Sequence, residues 1–270
     1  MKFFLEKEKE CWIGKFTHFS KCDIIHGIST RFTGLSSCEF SSLNLAMHNG
    51  DDNKIVAKNR KIFAHSMNIV AKDIVTAKQT HSDNIVIVTE DMKGQGAEDY
   101  LSALDDTDAL ITNVKNIPLM MFFADCVPVL FFDPINTVIA ISHAGWKGTV
   151  AKIAQKTLLA MQDNFNTNPQ DVLVGIAPSI GSCCYKIGIE VISKVKESFP
   201  IHNEALLLNK NGETFLDLWQ ANKEQLLEIG VRTENLIISD VCTNCNSEMF
   251  FSYRADHGKT GRIAAIMSLK

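Results

Sequence analysis

The chain has 270 residues, 27 Lys and Arg against 31 Asp and Glu, a formal charge of −4 at pH 7 and 46% apolar side chains. These values describe an ordinary folded protein able to bury a sizeable core, and they exclude a disordered chain or a polybasic face for nucleic acid. The first ten residues lack the apolar segment of a signal peptide. The most apolar stretch, 117–132, carries Asp125 at its centre and is too short to span a bilayer, so the chain reads as cytoplasmic, with no membrane and no nucleic-acid partner.

In chain order, short apolar runs rich in β-branched and aromatic residues predict strands over 74–78, 84–89, 109–112, 119–123, 127–132, 137–142, 172–177, 236–239 and 263–267. Helical periodicity follows Asp51 and Thr149 and runs over 188–199 and 214–229, the last closed by Gly230 as a C-terminal cap. Runs of consecutive strands between single helices favour an α+β layered domain over a doubly wound sheet or a TIM barrel. No Gly-x-Gly-x-x-Gly or Walker sequence opens a helix, so nothing points to a dinucleotide or P-loop site.

The eight cysteines are Cys11, Cys22, Cys38, Cys126, Cys183, Cys184, Cys242 and Cys245. In a cytoplasmic chain of this size they read as reduced thiols rather than a disulfide framework. Cys242-Thr-Asn-Cys245 has C-x-x-C spacing but no second pair in sequence, and the vicinal Cys183-Cys184 lies in a small-residue turn suited to facing a substrate; neither pair declares a role.

Three residues sit where a strand end can present a side chain: His81 after 74–78, Cys126 between two apolar runs, and His143 between a strand and a helix beside Gly145 and Gly148. Two imidazoles and one thiolate suit zinc with a fourth position open to water. The spacings match no local metal motif, and the same residues read equally as loop histidines and a small core thiol, or as a Cys126–His143 nucleophile and base. Asp125, adjoining Cys126, is a candidate acid/base or hydrogen-bonding partner. Arg31, Lys147 and Arg254 are candidates for holding an anion, and Asn44 lies in a small polar stretch that suits either a binding loop or a strand edge.

Taken together, His26-Gly-Ile-Ser-Thr-Arg31, Ser42-Leu-Asn-Leu45, His48-Asn-Gly-Asp-Asp52, Asn59-Arg60, Gln79-Thr-His81, Asp106-Thr-Asp-Ala109, Ala124-Asp-Cys-Val-Pro128, His143-Ala-Gly-Trp-Lys-Gly148, Ile180-Gly181 with Cys184-Tyr185, Phe251-Ser-Tyr-Arg254 and Thr260-Gly-Arg262 resemble the YfiH-type family, long labelled polyphenol oxidase (laccase) and now regarded as purine nucleoside phosphorylases. Ala46-Met47 and Lys147 are mild departures, where Gly and Arg are common. The resemblance implies a single α/β/β/α layered domain with mixed sheets over 1–270 and one catalytic zinc on His81, Cys126 and His143. It further implies phosphorolysis of adenosine, inosine, guanosine or methylthioadenosine to free base and ribose 1-phosphate, with adenosine deaminase activity beside it. A purine nucleoside and phosphate are then the partners, with Arg31, Asn44, Lys147 and Arg254 as binding candidates and a monomer or homodimer as the state. The fold's resemblance to cytotoxic-necrotizing-factor toxins keeps a cysteine hydrolase or amidase on Cys126 and His143, acting on a peptidoglycan precursor, as the alternative. With eight His and no His-x-His pair, a multicopper centre cannot be built, so Cu2+ at the trio and any polyphenol oxidation are adventitious.

Overall fold

The computed structural model describes residues 2–270. Its strands are β1 (Phe3–Glu8), β2 (Cys11–Phe16), β3 (Ile24–Ser29), β4 (Ile85–Ile87), β5 (Ala109–Thr112), β6 (Leu119–Phe123), β7 (Val127–Asp133), β8 (Val138–Ala144), β9 (Leu173–Ile176), β10 (Leu207–Lys210), β11 (Glu213–Leu216), β12 (Leu236–Ile238) and β13 (Ile263–Leu269). The helices are α1 (Asn53–Ser66), α2 (Trp146–Val150), α3 (Ile153–Phe165), α4 (Ile189–Ser198), α5 (Asn203–Leu206) and α6 (Leu218–Glu228).

Two sheets form the body: a five-stranded sheet in the order β1-β2-β3-β13-β6 and a six-stranded sheet in the order β12-β9-β7-β8-β5-β4. The central strands read as continuous apolar runs because both of their faces are covered, and successive side chains turn to opposite sides. In β7, Leu130 and Phe132 enter the layer between the sheets, whereas Val127, Val129 and Phe131 face the helices. Leu119, Met121 and Phe123 of β6 join that inner layer with Ile263, Ala265 and Met267 of β13. On the outer side of the five-stranded sheet, Met120, Phe122, Ala264 and Ile266 meet Phe63 and Ala64 of α1. Leu158 and Met161 of α3 and Leu226 of α6 cover the other outer face. The order of layers is therefore α/β/β/α, as the family resemblance led us to expect; the six-stranded sheet is mixed, whereas the five-stranded sheet is antiparallel throughout.

The departures have local causes. Residues 74–78 form no strand, since Val75 bridges Leu119 of β6 whereas Ala77 bridges Leu104, and a segment that changes partner cannot build a ladder. The segment 214–229 begins as β11 and becomes helical only after Asp217, whose side chain accepts from the Gln220 amide as an N-cap. Gly230 follows α6 with φ of 100°, the left-handed stop that glycine permits. The helix expected after Thr149 starts earlier, at Trp146, and breaks at Lys152, where φ is 65°. The sequence reading did not assign the N-terminal strands β1 to β3, which pair with one another and, through β3, with β13.

Inside the first sheet, His26 is 4% exposed and its Nε2 accepts the Phe16 amide at 2.9 Å. Burial, helped by the Lys15 and His18 charges, holds its imidazole down at about 3. The neutral form therefore supports the fold, with full effect above the ordinary histidine value of about 6.5 and progressive loss as pH falls towards 3. His18, held at about 4 chiefly by burial, adds to the same slope. Chemical denaturation should show stability declining by up to about 1.4 kcal/mol per pH unit per group below pH ~6.5. The decline should be shallower in His26→Gln, which can accept without titrating; an unchanged slope would contradict this assignment.

Candidate active site

The chain crosses from one sheet to the other at Ala124-Asp125-Cys126, between β6 and β7. The crossing explains the polar pair inside the most apolar stretch: Asp125 takes φ of 82°, and Cys126 is left half-buried at the seam. Beside it, β8 runs two residues past its expected end, so His143 lies on the strand opposite Pro128 of β7 rather than in a loop, with its side chain nearly buried. His81 comes from the loop before β4, exposed and with φ of 64°. The ligand atoms of His81, Cys126 and His143 lie within 4.8 Å of one another, and Cys126 Sγ is 3.7 Å from His81 Nε2. Gly145 permits this closeness, since a Cβ there would stand 2.8 Å from Cys126 Sγ and 3.1 Å from His81 Cδ2.

One carboxylate arranges the trio. Asp108, fully buried just before β5, accepts from His143 Nδ1 at 2.7 Å through Oδ1. Its other oxygen accepts from the amides on both sides of His81, Thr80 at 3.1 Å and Ser82 at 2.7 Å, and from the Ser82 hydroxyl at 2.9 Å. The His143 amide also donates to the Asp108 carbonyl at 2.8 Å. One side chain thus fixes the left-handed His81 loop and commits His143 to presenting Nε2. Burial opposes charge on Asp108, but the His143 hydrogen bond and charge and the Ser82 donors outweigh it and hold the carboxyl at about 2. Burial likewise opposes charge on Cys126 and His143, yet the His143 charge, with His81, draws the thiol well below its usual range, and Cys126 with Asp108 lifts His143 above its own. A thiolate donor at neutral pH follows.

The trio opens on a cavity of about 530 Å³ whose lining also includes Phe122, Trp146, Tyr185, Tyr253 and the cations Lys147, Arg254 and Arg262. That volume is in the range of small-molecule sites. Of the sequence candidates, Lys147 and Arg254 reach the cavity with the trio. Arg31 and Asn44, read in the sequence as binding candidates, do not line it. Arg31 Nε and Nη1 donate to the Ser41 and Ser247 carbonyls, and the fully buried Asn44 accepts from the Arg262 amide at 2.9 Å, bracing the chain just before β13. Asp125 lines the cavity, and its oxygens accept from Thr243 Oγ1 and from the Arg254 amide, each at 2.7 Å, so it braces the backbone at Arg254. Sequence reasoning missed Asp108 and Arg262, which lay inside the quoted motifs without a partner visible along the chain.

A model of the family described as "Multi-copper polyphenol oxidoreductase laccase" matches residues 25–270. The purine nucleoside phosphorylase YlmD of Bacillus subtilis (strain 168) is 35% identical over 256 residues, covering 94% of this chain and 91% of that protein. Adenosine deaminase RL5, from an unknown prokaryotic organism, is 31% identical over 83% of this chain and 85% of its own length. The crystal structure of YlmD from Geobacillus stearothermophilus superposes with a TM-score of 0.94 at 32% identity, covering 99% of both chains. That of the hypothetical protein YfiH from Bacillus licheniformis superposes with a TM-score of 0.93 at 36% identity, covering 98% of this chain and 99% of that one. This chain therefore belongs to the YfiH-type family, the one whose model carries the polyphenol oxidoreductase laccase description.

Proposed function

We propose that this protein is a zinc-dependent purine nucleoside phosphorylase. The observation that carries the reading is a three-donor N/S cluster opening onto a cavity lined by three cations and a single carboxylate, Asp125. The donor set fits the ion: two imidazoles and one thiolate, the thiolate favoured at neutral pH and the His143 tautomer fixed by Asp108, leave a side towards the cavity. Zinc held by His81, Cys126 and His143 would supply a Lewis acid for orienting and polarising oxygen ligands. No other group of potential metal ligands among the described residues contains a histidine, which leaves the family's multi-copper description without the imidazoles such a centre needs.

The remaining chemistry belongs to the chain. Phosphorolysis breaks the bond between ribose C1′ and the purine nitrogen while a phosphate oxygen bonds to C1′. Arg254, Arg262 and Lys147 provide a local positive field for the phosphate in a protein whose overall charge is −4. Arg254 is placed for this by Asp125 through its amide and by Tyr185, whose ring centroid lies 5.2 Å from the guanidinium carbon. Phe122, Trp146, Tyr185 and Tyr253 offer apolar faces for a purine. Deamination of adenosine is a second activity suited to the same site, supported by the name of one relative.

A second reading has its own observation: Cys126, His143 and Asp108 stand in the order of a nucleophile, its base and the orienting carboxylate of a cysteine hydrolase. It makes His81 dispensable, so full activity in His81→Ala would favour it and loss of activity would reject it.

Adenosine incubated with and without phosphate should give adenine and ribose 1-phosphate only when phosphate is present. Inosine in both samples would reveal deamination, and no conversion of any purine nucleoside would overturn the reading. Asp108→Asn should keep the fold by circular dichroism and lower kcat/KM or metal affinity by about 10–100-fold; wild-type values would remove Asp108 from its role. In Arg254→Ala, steady-state kinetics should show the phosphate KM raised by about tenfold, near 1.4 kcal/mol, with a smaller change in the nucleoside KM.

A further inference from the structure

The fold supplies what the isolated C-x-x-C lacked in sequence. Cys183 and Cys184, in the turn after Ile180, meet Cys242 and Cys245, in the loop after β12, with the four Sγ atoms within 4.8 Å of one another. Cys245 Sγ lies 3.5 Å from Cys183 Sγ and 3.3 Å from Cys184 Sγ. A tetrahedral zinc with Zn–S bonds of about 2.3 Å places its sulfurs about 3.8 Å apart, so the four thiols already occupy the volume of such a site.

Core filling does not account for this gathering. A cysteine kept for packing is usually buried, yet Cys183 and Cys245 are exposed and Cys184 is half-buried; only Cys242 belongs to the core. One contact favours charge on sulfur directly. The Gly181 amide donates to Cys242 Sγ at 3.2 Å. Lys210 Nζ donates to the Ser182 carbonyl at 3.1 Å, and Arg254 Nη1 reaches the Cys184 and Lys186 carbonyls at 3.3 Å. Gly181 also makes room for the convergence. A Cβ there would stand 3.0 Å from Trp219, 3.2 Å from Cys183 Sγ and 3.3 Å from Cys242 Cβ.

We infer that Cys183, Cys184, Cys242 and Cys245 form a second metal site, a tetrathiolate centre for zinc, which fastens together the two loops behind the cavity wall. Binding exchanges the four thiol protons for the ion and leaves two net negative charges, with Lys210 and Arg254 bonded to carbonyls of the Ser182–Cys184 turn. Apart from the ion, the loops are joined by the Ser179 amide on the Val241 carbonyl and the Thr243 amide on the Ser179 carbonyl. Tyr185 and Arg254 line the cavity directly against this junction, so the centre holds them from behind and has no open position for substrate. Its role is structural, and it does not depend on which substrate the cavity takes.

Metal analysis of protein prepared under reducing conditions tests this. Wild-type protein should hold two zinc ions per chain. Cys126→Ser, which removes a donor of the other site, should keep one. Cys183→Ser/Cys245→Ser, changed only at exposed positions, should also keep one and should melt at a lower temperature. In the Cys126→Ser background, cobalt(II) should give thiolate-to-cobalt charge transfer of the intensity of four thiolates, lost when Cys183 and Cys245 are also replaced. Three results would each overturn the inference: no zinc retained in Cys126→Ser, equal zinc in wild type and the double variant, or a Cys184–Cys245 disulfide in the reduced preparation.

Discussion

The hydrogen bonds of Asp108 are the constraint on which the rest of this site depends. A carboxylate at 0% exposure in a strongly apolar body is tolerable only when its oxygens are fully engaged, and here the engagement does structural work on two sides at once. Oδ1 fixes the His143 ring, and Oδ2 holds the His81 loop by the amides that flank the histidine. Residues separated widely in sequence thereby meet at one seam. Cys126 completes the set because the chain changes sheet at that point.

The electrostatics follow from the same arrangement. An acidic protein cannot attract a phosphate by its overall field, so attraction must be local. Under the proposed function Lys147, Arg254 and Arg262 would supply it at the cavity, where the one lining carboxylate, Asp125, accepts from the Arg254 amide and from Thr243. Asn44 acts in the same way one layer back, accepting the Arg262 amide. Several polar residues that resemble binding groups in the sequence are thus the supports of binding groups.

The layered fold was legible in sequence because its central strands are apolar on both faces, as in β6, β7, β8 and β13. His81, Cys126 and His143 were legible as residues at strand ends, although His143 proved to lie on the strand itself. What was hidden depended on contacts between distant parts of the chain. Nothing along the sequence ties Asp108 to both histidines, seats Arg262 in the cavity, or brings Cys183 and Cys184 to the lone C-x-x-C. For the same reason the sequence does not show that Arg31 donates to the Ser247 carbonyl, which comes from a distant loop.

The central claim is that phosphate-dependent cleavage of a purine nucleoside needs a metal held by the Asp108-ordered trio. The most direct measurement is the rate of adenine release from adenosine and phosphate as zinc is returned to metal-depleted protein. The account predicts that activity is absent without metal, returns with zinc in the wild type, and does not return in Cys126→Ser. Full activity in the metal-depleted protein, or recovery in the variant, would contradict it.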